Sequence, residues 1–111
     1  MAYDENLAER IRRLLHGEPD IVEKRMFGGL AFLVGGHMGL AASREGGLLV
    51  HVDAEDTDAL LEERHARPFV MRGREMRGWL RVEPEGCESD GDLTRWVRTG
   101  IDYGRSLPPK A

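Results

Sequence analysis

Hydrophobic residues near the start of the chain recur with the spacing of one helix face. These apolar positions are Leu7, Ile11, Leu14 and Leu15. Asp4 precedes them as a suitable N-cap, and Gly17 with Pro19 beyond it is typical of a helix end. The pattern therefore predicts a first helix over residues 5–16.

Between residues 23 and 53 the hydrophobic runs become short, and glycine pairs separate them. The pairs are Gly28-Gly29, Gly35-Gly36 and Gly46-Gly47. This punctuation is typical of antiparallel hairpins, whose tight turns need residues that adopt positive φ. The region is predicted to form three or four strands. Gly28-Gly29 has a second interpretation, as a bulge or a close approach of two backbones.

The second half of the chain predicts two further helices and two strands. Acidic residues in a first turn, a proline that stops a helix and a serine cap delimit the helices. The predicted elements are a helix over 55–65, strands over 69–71 and 78–82, and a helix over 90–105. Gly100 and Gly104 on the apolar face of the last helix cost about 1 kcal/mol each relative to Ala. We expect them to allow close approach to a neighbouring backbone.

The predicted order of elements is α-β-β-β-β-α-β-β-α. Hairpin-length links favour antiparallel pairing, which predicts a two-layer α+β fold. We expect three helices on one face of an antiparallel sheet of five to six strands. The length of 111 residues fits a single domain spanning 1–111, with an ordered core of about residues 4–106.

The predicted hairpins divide the strand residues between two faces of the sheet. Two-residue turns would place Phe32 opposite Gly39 and Val50 opposite Ala41. The second face is then also apolar, and its candidate dimer-face residues are Leu33, Met38, Leu40 and Leu49. Large apolar patches usually mark interfaces, so a second copy of the chain is one candidate cover. The alternative is that helix one or the C-terminal tail wraps over this face.

Charge is unevenly distributed along the chain. The formal net charge of −4 provides no global field for a polyanion or a bilayer. Residues 64–82 nevertheless hold six arginines against Glu75 alone, and the preceding block, 31–63, is acidic. A basic strand with an aromatic platform is typical of single-stranded nucleic-acid binding. The candidate contacts are Arg72, Arg74, Arg77, Trp79 and Arg81. Alternatively, these arginines pair with the acidic second helix and Trp79 belongs to the core.

No residue spacing in the chain predicts catalysis, a cofactor site or a metal site. A pocket around His51 and Asp53 is the one enzymatic alternative. Cys87 lies among glutamates whose field would raise the pKa of its thiol, which disfavours a reactive nucleophile. The chain has no apolar run long enough to span a membrane and no secretory leader, so we expect a cytoplasmic protein.

A six-residue block provides the most specific motif. It reads Lys24-Arg25-Met26-Phe27-Gly28-Gly29 and continues into Leu30-Ala31-Phe32. Together with Pro68-Phe69 and Gly78-Trp79 it resembles the N-terminal domain of the TfoX/Sxy family, over about residues 5–105. Residues 25–29 are the matching family motif.

The resemblance implies an α+β domain in a bacterial cytoplasmic protein, with no catalytic residues and no cofactor. For the family's regulators it implies a role in natural competence, acting on transcription with a partner regulator. Those regulators continue into a C-terminal helical domain, so we expect a stand-alone N-terminal domain here. The leading hypothesis is a non-enzymatic regulatory or interaction module that contacts a protein, either a second copy or a transcription regulator. Direct nucleic-acid binding is the alternative.

Overall fold

The chain folds into a six-stranded antiparallel sheet with helices on one face. The structure is a computed structural model that describes residues 3–110. In chain order the elements are α1 (Glu5–Leu14), β1 (Ile21–Met26), β2 (Gly29–Val34), β3 (His37–Ala42), β4 (Leu48–His51), α2 (Thr57–Leu61), β5 (Ala66–Met71), β6 (Arg74–Val82) and α3 (Asp90–Ser106). The strands lie in the order β1-β2-β3-β4-β6-β5. The predicted α+β class and order of elements are confirmed.

Side-chain caps begin the two long helices as predicted. The carboxylate of Asp4 accepts hydrogen bonds from the backbone N–H groups of Asn6 and Leu7, at 2.9 and 3.1 Å. The hydroxyl of Ser89 accepts one from the N–H of Asp92 at 3.1 Å. Each cap satisfies donors that the first helical turn leaves without a partner, which typically contributes about 1 kcal/mol.

The second helix is shorter than the predicted span of 55–65. A 3₁₀ turn over Ala54–Asp56 precedes α2, and α2 itself ends at Leu61. The backbone then adopts a positive φ of 70° at His65, and β5 begins at the next residue. Pro68 therefore lies within β5, an edge strand, where a missing N–H is tolerated.

One face of the sheet carries the hydrophobic core. Its buried strand residues include Leu30, Phe32, Leu40, Leu48, Val50, Leu80 and Val82. The helices contribute Ile11, Leu93, Trp96, Val97 and Ile101. Burial of each large side chain contributes about 1.5–3 kcal/mol, so this covered face accounts for most of the hydrophobic stabilisation.

Helix α3 lies directly on the sheet at Gly100 and Gly104. A Cβ atom on Gly100 would overlap the carbonyl oxygen of Gly39 in β3. One on Gly104 would lie 2.9 Å from Cγ1 of Val34. The predicted close approach is confirmed, and it explains why both positions forgo a side chain.

A bulge in β3 changes the predicted division of the strands. Phe32 pairs with Leu40, and Leu33 pairs with Met38, so Gly39 is an extra residue in β3. The prediction that Phe32 lies opposite Gly39 is therefore wrong. An extra residue in a strand reverses the alternation of side chains beyond it. The face that a residue of β3 occupies therefore depends on which side of Gly39 it lies.

The prediction that Leu40 belongs to the second face is wrong for the same reason. Val50 lies opposite Leu40, not opposite Ala41 as predicted, and Leu40 is fully buried on the covered face. The link between β3 and β4 is also longer than two residues, since the N–H of Ser43 donates to the carbonyl of Gly47. Ala41 consequently lies opposite Leu49.

The two segments that were the alternative cover for the second face, helix one and the C-terminal tail, lie elsewhere. Helix α1 buries Leu7, Ala8 and Ile11 in the core. The C-terminal tail packs beside the β2–β3 turn, where the N–H of Lys110 donates to the carbonyl of Gly35 at 2.8 Å. The sheet face opposite the helices, here called the open face, is therefore left without cover from either segment.

Candidate functional site: an apolar groove on the open face

The open face contains a groove of about 340 Å³ with a mainly apolar lining. Its large hydrophobic residues are Met26, Phe27, Met38, Leu49, Phe69, Met71, Met76 and Trp79. They come from β1, β3, β4, β5, β6 and the β1–β2 turn, so the groove crosses most of the sheet. Several remain accessible: Phe27 is 75% exposed, and Met71 and Met76 are about 40% exposed.

Methionine is the characteristic residue of this groove. Four of the five methionines in the sequence line it, and the fifth, Met1, lies outside the described residues. The unbranched thioether side chain adapts its shape to different neighbours and is over-used at promiscuous binding surfaces. The lining therefore suits contact with another molecule better than packing within the domain.

The family-motif residues form one border of the groove. Met26 and Phe27 line it, and Arg25 is exposed on the edge strand β1. Phe27 and Gly28 both have positive φ, as a two-residue hairpin turn between right-twisted strands requires. A Cβ on Gly29 would overlap the carbonyl oxygen of Ala42, which matches the close-approach interpretation of the glycine pair.

The β5–β6 hairpin forms the opposite border, and β6 contains a bulge there. Between the pairs Pro68–Leu80 and Val70–Glu75, β6 has more residues than β5. Gly78 lies in this bulge with φ of 92°, and its N–H donates to the buried hydroxyl of Thr57 at 2.9 Å. The bulge reverses the alternation along β6, so Met76 lines the groove together with Phe69 and Met71 of β5.

Polar side chains occupy one end of the groove. The guanidinium of Arg81 forms an ion pair with the carboxylate of Glu45. Arg44 is exposed, and no carboxylate of residues 3–110 pairs with it. Its aliphatic stem crosses the β1–β2 turn, where a Cβ on Gly28 would lie 2.8 Å from Arg44 Cδ. The turn glycine thus leaves room for the arginine stem beside the groove.

The arginine-rich segment over residues 64–82 is partly neutralised by ion pairs within the protein. Arg77 donates to Asp58 of α2 at 3.0 Å and to the carbonyl of Ala54 at 2.8 Å. Arg81 is paired with Glu45, as described above. By contrast, Arg72 and Arg74 are exposed at the β5–β6 turn, and no described carboxylate pairs with either. The predicted nucleic-acid contacts are thus divided between paired and unpaired arginines.

Trp79 stacks on a histidine at the border of the open face. Its ring is parallel to that of His51 with 4.0 Å between centroids, and Tyr103 meets His51 edge-on at 4.9 Å. Burial lowers the pKa of His51, and its Nδ1 is 3.1 Å from the carbonyl of Met38. Asp53 instead caps the 3₁₀ turn by accepting from the N–H of Glu55. His51 and Asp53 are thus engaged in separate structural contacts.

Other candidate chemistry is limited. Burial raises the pKa of the Cys87 thiol to about 11, with Asp92 adding to the rise and Arg10 opposing it. The predicted direction is confirmed, but burial rather than nearby glutamates is the main cause. Within residues 3–110, no group of three His, Cys, Asp or Glu side chains could hold a metal ion. Over the same span, each helix is too short or too polar to cross a lipid bilayer.

Sequence reasoning identified one side of the groove and missed the other. Leu33, Met38 and Leu49 lie on the open face as expected, whereas Leu40 does not. The residues that were missed are Phe69, Met71 and Met76. Met71 and Met76 lie on either side of the β5–β6 turn. Hydrophobic and polar residues do not alternate regularly around them, so the sequence pattern does not predict which face of the sheet they occupy.

Comparison with protein families gives one match. The model of the TfoX N-terminal domain matches residues 13–103 of the 111-residue chain. Searches of curated proteins and of solved structures found no match. The match spans every strand of the sheet and nearly all of α3. The chain therefore belongs to the TfoX N-terminal domain family, a regulatory domain family without known catalysis.

Proposed function

We propose that this domain is a non-enzymatic interaction module that binds another protein through the groove of the open face. The observation that carries the proposal is the apolar lining itself. Large accessible apolar patches on soluble domains usually mark interaction sites, and aromatic residues, methionine and arginine are enriched at interfaces. The groove combines all three residue types.

The regulated process follows from the family resemblance alone. TfoX/Sxy regulators act on transcription in natural competence, and we extend that role to this chain as part of the proposal. Either a transcription regulator or a second copy of the chain would occupy the groove in this account. Sedimentation equilibrium across micromolar concentrations distinguishes the two, because only the second copy gives a mass that rises with protein concentration.

Nucleic-acid binding is the second candidate function, and Arg72 with Arg74 favours it. Both residues are exposed, flank Gly73 at one turn, and have no carboxylate partner among the described residues. Arg77 and Arg81 are engaged in ion pairs, and one face of the Trp79 ring is stacked on His51. These contacts leave a smaller basic surface than the sequence suggested.

Photo-crosslinking at adjacent positions of β5 tests the main proposal. Met71 lines the groove, whereas Val70 is 54% exposed and outside the lining. We expect a photoreactive amino acid at position 71 to form covalent adducts with a protein in the native host. The same photoreactive amino acid at position 70 should form few adducts. Equal adducts at both positions, or adducts that nuclease removes from position 71, would contradict the proposal.

Salt-dependent binding tests the second candidate. If the β5–β6 turn holds nucleic acid, single-stranded probes bind at low salt and the double variant Arg72→Gln with Arg74→Gln weakens binding and its salt dependence. Absence of binding at about 50 mM salt would exclude this function, since phosphate contacts are strongest there.

A further inference from the structure

We infer that the occupant of the groove is an amphipathic protein segment that presents bulky apolar side chains next to a carboxylate. This inference rests on the proposed function and specifies the chemistry of the partner. It depends on the size of the groove, on the charge left unpaired around it and on the identity of its lining residues.

The size of the groove favours a segment over a flat domain surface. Its volume of about 340 Å³ is within the range of concave sites that enclose a ligand, about 300–1,000 Å³. A helix or strand that projects a few large side chains fits such a concavity. Helices that dock in this way place their apolar face in a groove lined by adaptable side chains, and methionine supplies that adaptability here.

Unpaired positive charge around the groove favours an acidic occupant. Three side chains at the end of the groove carry charge: Arg44, Arg81 and Glu45. Arg81 and Glu45 neutralise each other, so Arg44 remains available to an incoming carboxylate. Arg72 and Arg74 are exposed at the turn of the hairpin that carries Met71, and the one exposed carboxylate beside them, that of Glu75, leaves a net positive charge there. A basic segment would meet repulsion at both places.

The same charges disfavour a second copy of the chain as the occupant. In a two-fold symmetric dimer each open face meets an identical open face, so the net positive charge of one groove would approach that of the other. A second copy that offered an acidic surface instead would form a head-to-tail contact, which does not close into a dimer. A segment of a different protein avoids both difficulties.

Selection from a displayed library of random short peptides tests this partner chemistry. The full chain is immobilised, and enriched peptides are synthesised and titrated by fluorescence anisotropy. We expect enriched peptides to combine bulky apolar residues with Asp or Glu. Arg44→Gln should weaken their binding by about tenfold or more, because a charge-assisted hydrogen bond is lost. Arg13→Gln, which removes an exposed arginine of α1 in the helix layer, should leave it unchanged.

Two groove variants separate this inference from the proposed function. Met71→Gln should abolish peptide binding, while Val70→Gln on the same strand should preserve it and shows that a polar side chain alone does not unfold β5. Peptides that require Met71 but show no acidic preference and ignore Arg44→Gln would overturn the inference and leave the proposed function standing. Enrichment of basic peptides, or failure to enrich any, would also overturn it. Binding that is unchanged by Met71→Gln would contradict both.

Discussion

The two faces of the sheet are built from the same strands but from different hydrophobic residues. The covered face packs leucine, valine and isoleucine with Trp96 and Phe32, all essentially buried. The open face presents methionines, Phe27, Phe69 and Trp79, several of them accessible. Branched side chains have few rotamers and fill a core with defined geometry, whereas methionine adapts to irregular neighbours. One face therefore specifies the fold, and the other keeps adaptable apolar side chains accessible.

The largest expected contrast is between the two tryptophans. Trp96 is 1% exposed beneath the helices, so Trp96→Ala should lower the free energy of unfolding by about 3–5 kcal/mol. Trp79 is half-buried and stacked on His51, so Trp79→Ala should cost only about 1 kcal/mol, mainly from the lost stacking. Chemical denaturation followed by circular dichroism measures both. Equal losses would mean that the open face also contributes to the core.

A smaller contrast compares two glycines of helix α3. Gly100→Ala places a methyl group against the carbonyl oxygen of Gly39 and should destabilise the fold by about 1–3 kcal/mol. A Cβ atom on Gly91 would have no neighbour within 4 Å, so Gly91→Ala should be neutral or stabilise the fold by up to about 1 kcal/mol. Thermal unfolding of both variants gives the comparison. A stabilising Gly100→Ala would contradict the direct contact between α3 and β3.

The smallest contrast is electrostatic and involves the link between α1 and β1. Hydrogen bonds from Arg98 and then Arg105 lower the pKa of Glu18 below its ordinary value of 4.5. Arg105 likewise lowers the pKa of Asp20. Both carboxylates thus bind protons less readily in the folded state. Their contribution to stability is fully present above the ordinary values and is lost as pH falls through the lowered values.

Unfolding measured between neutral pH and pH 3 tests this contribution. Glu18→Gln should lower the free energy of unfolding at neutral pH by about 1 kcal/mol or less, because the ion pairs are near the surface. It should also reduce the further decrease in this free energy as the pH is lowered. Glu62→Gln is the matched control, since Glu62 is exposed and forms no ion pair with a described residue. An unchanged acid slope in Glu18→Gln would exclude this network as a contributor.

Local signals predicted much of the fold. The caps at Asp4 and Ser89 and the two-residue turn at Gly35-Gly36 depend on neighbours within a few residues, and each formed as expected. The close approach at Gly100 could also be anticipated, because an unfavourable residue on an apolar helix face indicates a packing constraint.

The bulges could not be read from alternation, and the candidate site depends on them. Gly39 reverses the faces along β3, which moved Leu40 into the core. Gly78 belongs to the irregular part of β6 that lets the β5–β6 hairpin border the groove. The pairing of Arg81 with Glu45 joins residues 36 positions apart and follows only from the register of the assembled sheet. The register between distant strands therefore determines which side chains face the groove and which charges pair, and local sequence patterns do not predict it.

The outer strands of the sheet restrict how molecules of this kind can assemble. In β1, Glu23, Lys24 and Arg25 are consecutive exposed charges, and Pro68 interrupts the donor row of β5. Both features oppose the addition of a further strand, which is how soluble sheets avoid growing into fibrils. Polymerisation through the edges is therefore disfavoured at both ends of the sheet. A domain protected in this way can expose an apolar face without its sheet edges becoming a template for aggregation.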